Sequence, residues 1–170
     1  KDRKREPGPI NIQKYDFGYS WMGIPTFFHL PVALTPEDLK AGKVEVAIMG
    51  AYTDMGGGMR GAAHGPNAFR NSEVYGGWGI VGTPNMHVML DPLKELVCVD
   101  YGDAPVDIMS TERSIQVIRT FVRQAVEVEI EPGKHVFPII IGGDHSLMHP
   151  NVAALVDVYG KGNVGVIHFD

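Results

Sequence analysis

The chain has 170 residues, with 15 Lys and Arg, 20 Asp and Glu and 44% apolar positions, the composition of a soluble globular domain and not of a disordered or fibrous chain. Its net charge of −5 argues against a nucleic-acid or membrane-surface binder, which concentrates Lys and Arg against phosphates, and no apolar run approaches the roughly 18 residues of a membrane span. A single cysteine, Cys98, cannot build a disulfide framework and points to a reducing, cytoplasmic setting.

Residues 1–9 hold four basic and two acidic side chains and read as a short solvated arm, leaving −7 for the rest of the chain. Residues 10–42 are aromatic-rich and broken by Pro25 and Pro31. Thr35-Pro36-Glu37-Asp38 then sets a cap, a helix-compatible proline and two acidic residues at the start of a short helix. The alternation of Val44, Val46 and Ile48 predicts a first strand over Lys43–Gly50.

Gly and Pro together make 33 residues, about 19% of the chain against roughly 12% in average usage, and they concentrate at 50–66 and 76–84. Such loops between regular segments are expected to be ordered and to carry function. Gly65-Pro66 starts a helix that runs to about Tyr75, and Leu96–Tyr101 reads as a second strand. Ser110 caps a strong helix through about Val128, where Ile115, Ile118, Phe121, Val122, Ala125 and Val126 recur at three- and four-residue spacing, and Pro132-Gly133 stops it. Val136–Ile141 is nearly all apolar and predicts a strand buried on both faces, with Pro138 lacking a ladder donor. A helix over Pro150–Tyr159 and a strand over Val164–Phe169 complete the order, which is that of an α/β domain with parallel strands and right-handed crossovers.

In such sheets ligands bind beyond the carboxyl ends of the strands. One predicted strand runs into Gly142-Gly143-Asp144-His145-Ser146 and the next ends in His168-Phe169-Asp170, so one βαβ unit brings His145 and Asp170 to the same edge. Imidazole with carboxylate suits a divalent metal such as Mn, Fe, Ni or Zn, while a lone histidine in a glycine turn is more often a hydrogen-bonded structural residue. Spacing alone leaves both readings open.

The adjoining motifs add to this. Gly-Gly-Asp-His-Ser after a strand, followed some 25 residues later by His168-Phe169-Asp170, resembles the first two metal motifs of the ureohydrolases, the arginases, agmatinases and related guanidino-compound hydrolases. Gly61-Ala-Ala-His-Gly65-Pro66 with Arg70 four residues after the proline, Asp100-Tyr-Gly-Asp103, and Gly23-Ile-Pro-Thr-Phe27 are similar to further family segments, so the resemblance covers about residues 23–170. It implies a three-layer αβα fold with a mainly parallel sheet, of which residues 1–42 are an N-terminal arm and extension and 43–170 the N-terminal half of a single domain. It also implies two divalent ions, manganese or alternatively nickel, bridged by a water or hydroxide that attacks a guanidinium carbon and releases urea and an amine.

By the same resemblance His145 is a metal ligand, Asp170 is a bridging carboxylate, and the remaining ligands and catalytic groups lie beyond residue 170. Two ligands of six do not hold a binuclear cluster, so the expectation is an N-terminal half that is inactive alone. Asp144 and Ser146 serve either as partners that orient His145 or as caps of the turn. His64 sits in the loop that would face substrate. His149 is disfavoured as a ligand because Pro150 interrupts a shared helix face with His145, and His168 is expected to pack. The glycine loop and the Trp78 segment look more like the guanidine hydrolase and metformin hydrolase branch. Expected partners are a small cationic guanidino substrate and further subunits, in a homo-oligomeric trimer or hexamer or beside a related subunit that is active or non-catalytic, with no nucleic acid and no membrane.

A Rossmann oxidoreductase is the rival from another class, because Gly56-x-Gly58-x-x-Gly61 matches the dinucleotide fingerprint. The glycines do not open the helix, which begins only at Pro66, and residues 74–90 contain no acidic side chain for a ribose.

Overall fold

A computed structural model describes residues 5–12, 23–57, 60–72 and 85–169. The basic residues 1–4, the aromatic residues 13–22, the Trp78 segment, the far end of the helix predicted to Tyr75, and Asp170 lie outside the described residues.

Three parallel strands form the sheet, β1 (Val46–Ala51), β2 (Cys98–Asp103) and β5 (Phe137–Gly142), in the order β2-β1-β5. The helices are α1 (Pro36–Ala41), α2 (Gly65–Arg70), α3 (Pro92–Glu95), α4 (Thr111–Val126) and α5 (Met148–Tyr159), and a small antiparallel hairpin pairs β3 (Glu129–Glu131) with β4 (Lys134–His135). All six residues of β1 are buried, as a central parallel strand requires. On one face Ala47, Met49, Val99 and Tyr101 pack against Ile118, Val122 and Ala125 of α4 and Ala154 of α5. Full burial of a side chain such as Ile118 or Val122 is worth about 2 kcal/mol. On the other face Val46, Ile48 and Cys98 meet Phe27 and Leu30 from the N-terminal segment, with Phe69 of α2 alongside, so helices and irregular segments cover both sides of the sheet in three layers.

The predicted boundaries move for local reasons. β1 begins at Val46 and not at Lys43, because Lys43 has φ +48 and the Val44 N–H donates to the Leu39 carbonyl, closing the end of α1. α1 carries the full capping box, with the Thr35 side chain accepting from the Asp38 N–H. α4 starts after the Ser110 cap as predicted.

Residues 5–12 are not a solvated arm. Arg5 donates to both oxygens of the buried Asp38 at 2.7 Å, the Gly8 N–H donates to the same carboxylate at 2.8 Å, and Ile10 bridges Val32. Burial alone would raise the Asp38 carboxyl, but Arg5 and the N–H groups of Gly8 and Leu34 outweigh it and hold it at about 2.

Two expectations are overturned on the β5 side. β5 is not buried on both faces: Phe137 and Ile139 are 63% and 38% exposed, because among the described residues β1 is its one neighbouring strand and nothing covers that face at its start. Residues 164–169 form no strand, and Ile167 and Phe169 are 84% and 91% exposed. An apolar run gains from the extended state only by pairing and burial, and neither is available to it among the described residues. Pro138 does fit within β5. The Phe137 N–H donates to Glu45 on the β1 side, so in a parallel ladder the next residue turns its amide position outward, where no donor is needed.

Candidate functional site

Because the three strands run in parallel, their carboxyl ends share one edge, and the loops that leave it bring together most of the motifs read from the sequence. Two clusters form there.

The first is centred on Arg70 at the end of α2. Its guanidinium donates to Asp100 through Nε (2.7 Å) and Nη2 (2.9 Å), to Asp103 through Nη1 (2.8 Å) and to the Tyr52 hydroxyl (3.4 Å), and it lies 4.0 Å from the centroid of the Phe27 ring. Asp100 also accepts from the N–H groups of Phe27 and Gly102. Burial would lower the Arg70 pKa, but Asp100 and Asp103 outweigh it and raise it. Burial raises the Asp103 carboxyl, and Arg70 offsets this only in part. The β1–β2 register shifts between Ile48 and Gly50, so that Gly50 stands opposite Asp103. A Cβ on Gly50 would lie 1.9 Å from Asp103 Oδ1, and only glycine leaves room for the ion pair.

The second cluster surrounds the turn after β5. Gly143 takes φ +48, Asp144 caps the 3-10 turn His145–Leu147 by accepting from the Ser146 N–H, and α5 follows directly. The Asp144 carboxylate also accepts from Thr53, Gly56 and Gly57 of the loop after β1. Burial would raise this carboxyl, but the hydrogen bonds from Ser146, Gly56 and Gly57 hold it below its usual value. The turn leaves the His145 ring exposed, without a hydrogen-bond partner among the described residues, and stacked 5.1 Å from the His168 ring.

The predicted site residues therefore separate. His145 stands at the edge with free nitrogen donors, as a metal ligand must, and the chemistry of this donor fits a borderline divalent ion. Among the described residues no group of three or more metal-ligating side chains gathers there, and Asp170 lies outside them. Asp144 and Ser146 bond to each other, Asp144 bonds further to the glycine loop, and neither bonds to the His145 ring. His64 ends the 3-10 turn Ala62–His64 with its ring exposed, and the next residue lies against the end of β5, where a Cβ on Gly65 would come within 2.3 Å of the Gly142 carbonyl oxygen. His149 lies in α5, past the 3-10 turn that holds His145, so the two share no helix face.

The partnership of Asp144 with Thr53, Gly56 and Gly57 was not predicted. Its available signal was a glycine run and a Gly-Gly-Asp segment leaving two strands at the same edge. The same bonds spend the Gly56 amide on a carboxylate of the chain itself, whereas a dinucleotide fingerprint would direct it to a phosphate. A cavity of about 190 Å³ lies beside this cluster, lined by Tyr52, Met55, Ala63, Ile108, Ile115 and Ser146 among others. Among the described residues no helix is long and apolar enough to cross a membrane.

Comparison with known proteins places the sequence and the fold. The sequence profile of the arginase family matches residues 44–170. The mitochondrial guanidino acid hydrolase of Homo sapiens is 30% identical over 150 residues, which are 88% of this chain and 38% of that protein. Among solved structures, proclavaminate amidino hydrolase from Streptomyces clavuligerus superposes with a TM-score of 0.64 at 26% identity, over 84% of this chain and 43% of that one. A formiminoglutamase variant from Trypanosoma cruzi with Mn2+ superposes with a TM-score of 0.52 at 25% identity, over 68% and 36%. The chain spans about two fifths of the length of the curated relatives it matches.

Proposed function

The chain belongs to the arginase family, and from that premise we propose that the whole protein hydrolyses a small cationic guanidino compound, releasing urea and an amine or ammonia. The observation that carries this reading is the exposed His145 imidazole, free of hydrogen bonds among the described residues, on a clamped turn at the carboxyl edge of a parallel sheet. In this reading His145 and Asp170 hold divalent metal, Mn2+ by preference and Ni2+ as the alternative, with the other ligands supplied from beyond residue 170. When bound, two such cations supply a water acidic enough to act as a nucleophile near neutral pH.

The chain's own groups divide the remaining work. Arg70 is held by two carboxylates and a ring face, so it frames the edge and does not grip substrate. His64, exposed beside the end of β5, is placed to meet substrate. The protein is proposed to act in the cytoplasm as a trimer or hexamer, or beside a related subunit, and its substrate to fall in the guanidine or metformin branch.

The test is product release from guanidine, agmatine, 4-guanidinobutyrate, arginine and metformin, with the whole protein loaded separately with Mn2+ and Ni2+. Urea, or dimethylamine from metformin, is expected from at least one. No product from any substrate with either metal overturns the reading.

A further inference from the structure

We propose that Asp144 is the positioning residue through which the glycine loop after β1 sets the place of His145, a role that rests on His145 being a metal ligand. Five donors converge on the Asp144 carboxylate. Oδ1 accepts from the Thr53 hydroxyl (3.3 Å) and from the N–H (3.1 Å) and hydroxyl of Ser146; Oδ2 accepts from the N–H groups of Gly56 (2.6 Å) and Gly57 (3.2 Å). A carboxylate has about four lone-pair sites, so none is left for a cation or for the His145 ring. Asp144 acts on the chemistry only through the backbone it holds.

That backbone is tightly engaged. The Asp144 N–H donates to the Thr53 carbonyl at 2.8 Å. A Cβ on Gly56 would lie 2.7 Å from Ser146 Cβ, and one on Gly143 would lie 2.7 Å from the carbonyl oxygens of both Ala51 and Thr53. The loop therefore cannot shift without moving the turn that presents His145. Asp144→Asn keeps the shape and reverses part of the hydrogen bonding: in either orientation of the amide, its NH2 group faces at least two of the donors that the carboxylate accepted.

The experiment uses the whole protein and two readouts, hydrogen exchange at the Gly56, Gly57 and Ser146 amides and Mn2+ affinity of the metal-free form by calorimetry. For D144N, exchange at these amides is expected to quicken and Mn2+ binding to weaken, each by about tenfold or more, the usual cost of losing a partner that supports a ligand. Val122→Ala, a remote core variant, is expected to lower thermal stability and leave both readouts unchanged.

Unchanged readouts in D144N, or a loss of affinity no greater than in V122A, overturn the proposal. If D144N does not fold, Thr53→Val combined with Ser146→Ala removes two of the five donors, and its Mn2+ affinity is expected to fall severalfold; an unchanged affinity overturns the proposal. His145→Ala is measured in parallel. If it binds Mn2+ like the unaltered protein, the metal-ligand reading fails by itself, and the exchange rates decide the coupling: faster exchange in D144N supports it and unchanged exchange overturns it.

Discussion

The two ends of the sheet's carboxyl edge treat their charges in opposite ways. At the β2 end Asp100, Asp103, Arg70 and Tyr52 satisfy one another, and the Phe27 ring closes the guanidinium from the side. At the β5 end the His145 and His168 rings face outward with no hydrogen-bond partner among the described residues, beside an Asp144 whose lone pairs are all taken within the chain. A polar group saturated inside the fold gives it geometry, and breaking such a pair is costly because it strands a buried charge. A donor left open by a rigid turn costs nothing to keep and is available to a ligand. The same strand ends thus carry a saturated frame on one side and an open edge on the other.

The sharpest way to break this contrast is to remove one group from each end. His145→Ala is expected to lower product release by more than about 100-fold, since even the partners around a metal ligand are worth 10–100-fold, and to leave urea unfolding of the metal-free protein unchanged. Arg70→Ala is expected to do the reverse at the level of folding: it leaves Asp100 and Asp103 unpaired and costs about 3–5 kcal/mol in urea denaturation. If H145A proves the more destabilising of the two, the division of labour is wrong.

Gly50→Ala probes the frame more gently. Its Cβ would press on Asp103 Oδ1 at 1.9 Å and Pro66 Cβ at 2.9 Å, at an expected cost of about 1–3 kcal/mol in the same assay.

Asp38 offers a test by pH. Its carboxyl titrates at about 2 in the folded chain against an ordinary value of 3.8, so the folded state favours the charged form. The resulting stabilisation, about 2 kcal/mol, is fully present above pH 4 and is lost as the pH falls toward 2. Comparing denaturation of D38N with that of the unaltered protein from pH 7 to pH 2 should show a gap that closes across that window. Smallest of all is Arg119→Ala, which removes a solvent-screened pair with Asp157 between α4 and α5 and should leave the denaturation midpoint within error.

Legibility in the sequence followed the physics of each element. α4 was plain because more than four turns of apolar residues at helical spacing must face a core, and β1 because Val44, Val46 and Ile48 alternate up to a terminating glycine. The β3–β4 hairpin is only three and two residues long, and its Val128-Glu129-Ile130-Glu131 alternation runs on directly from the α4 pattern, so the Pro132-Gly133 turn, with φ +77 at Gly133, showed only as a helix stop. Val164–Phe169 had the composition of a strand, but strand formation depends on a partner that composition does not name. His145 was legible as a motif residue. The work of Asp144 was not, because its donors Gly56 and Gly57 lie some 87 residues away and only the parallel register brings them within reach.

Pro138 bears on how this edge meets other chains. On the outer flank of β5 an approaching strand finds an incomplete row of donors, because position 138 has no N–H to offer, and the ring stands where a second backbone would have to come close. Open flanks of sheets invite self-association into fibrils, and a proline on the outward position is a recognised deterrent. The residue that looked least suited to a strand thus removes one donor from the outward side of β5, and narrows the registers in which a neighbouring strand can pair there.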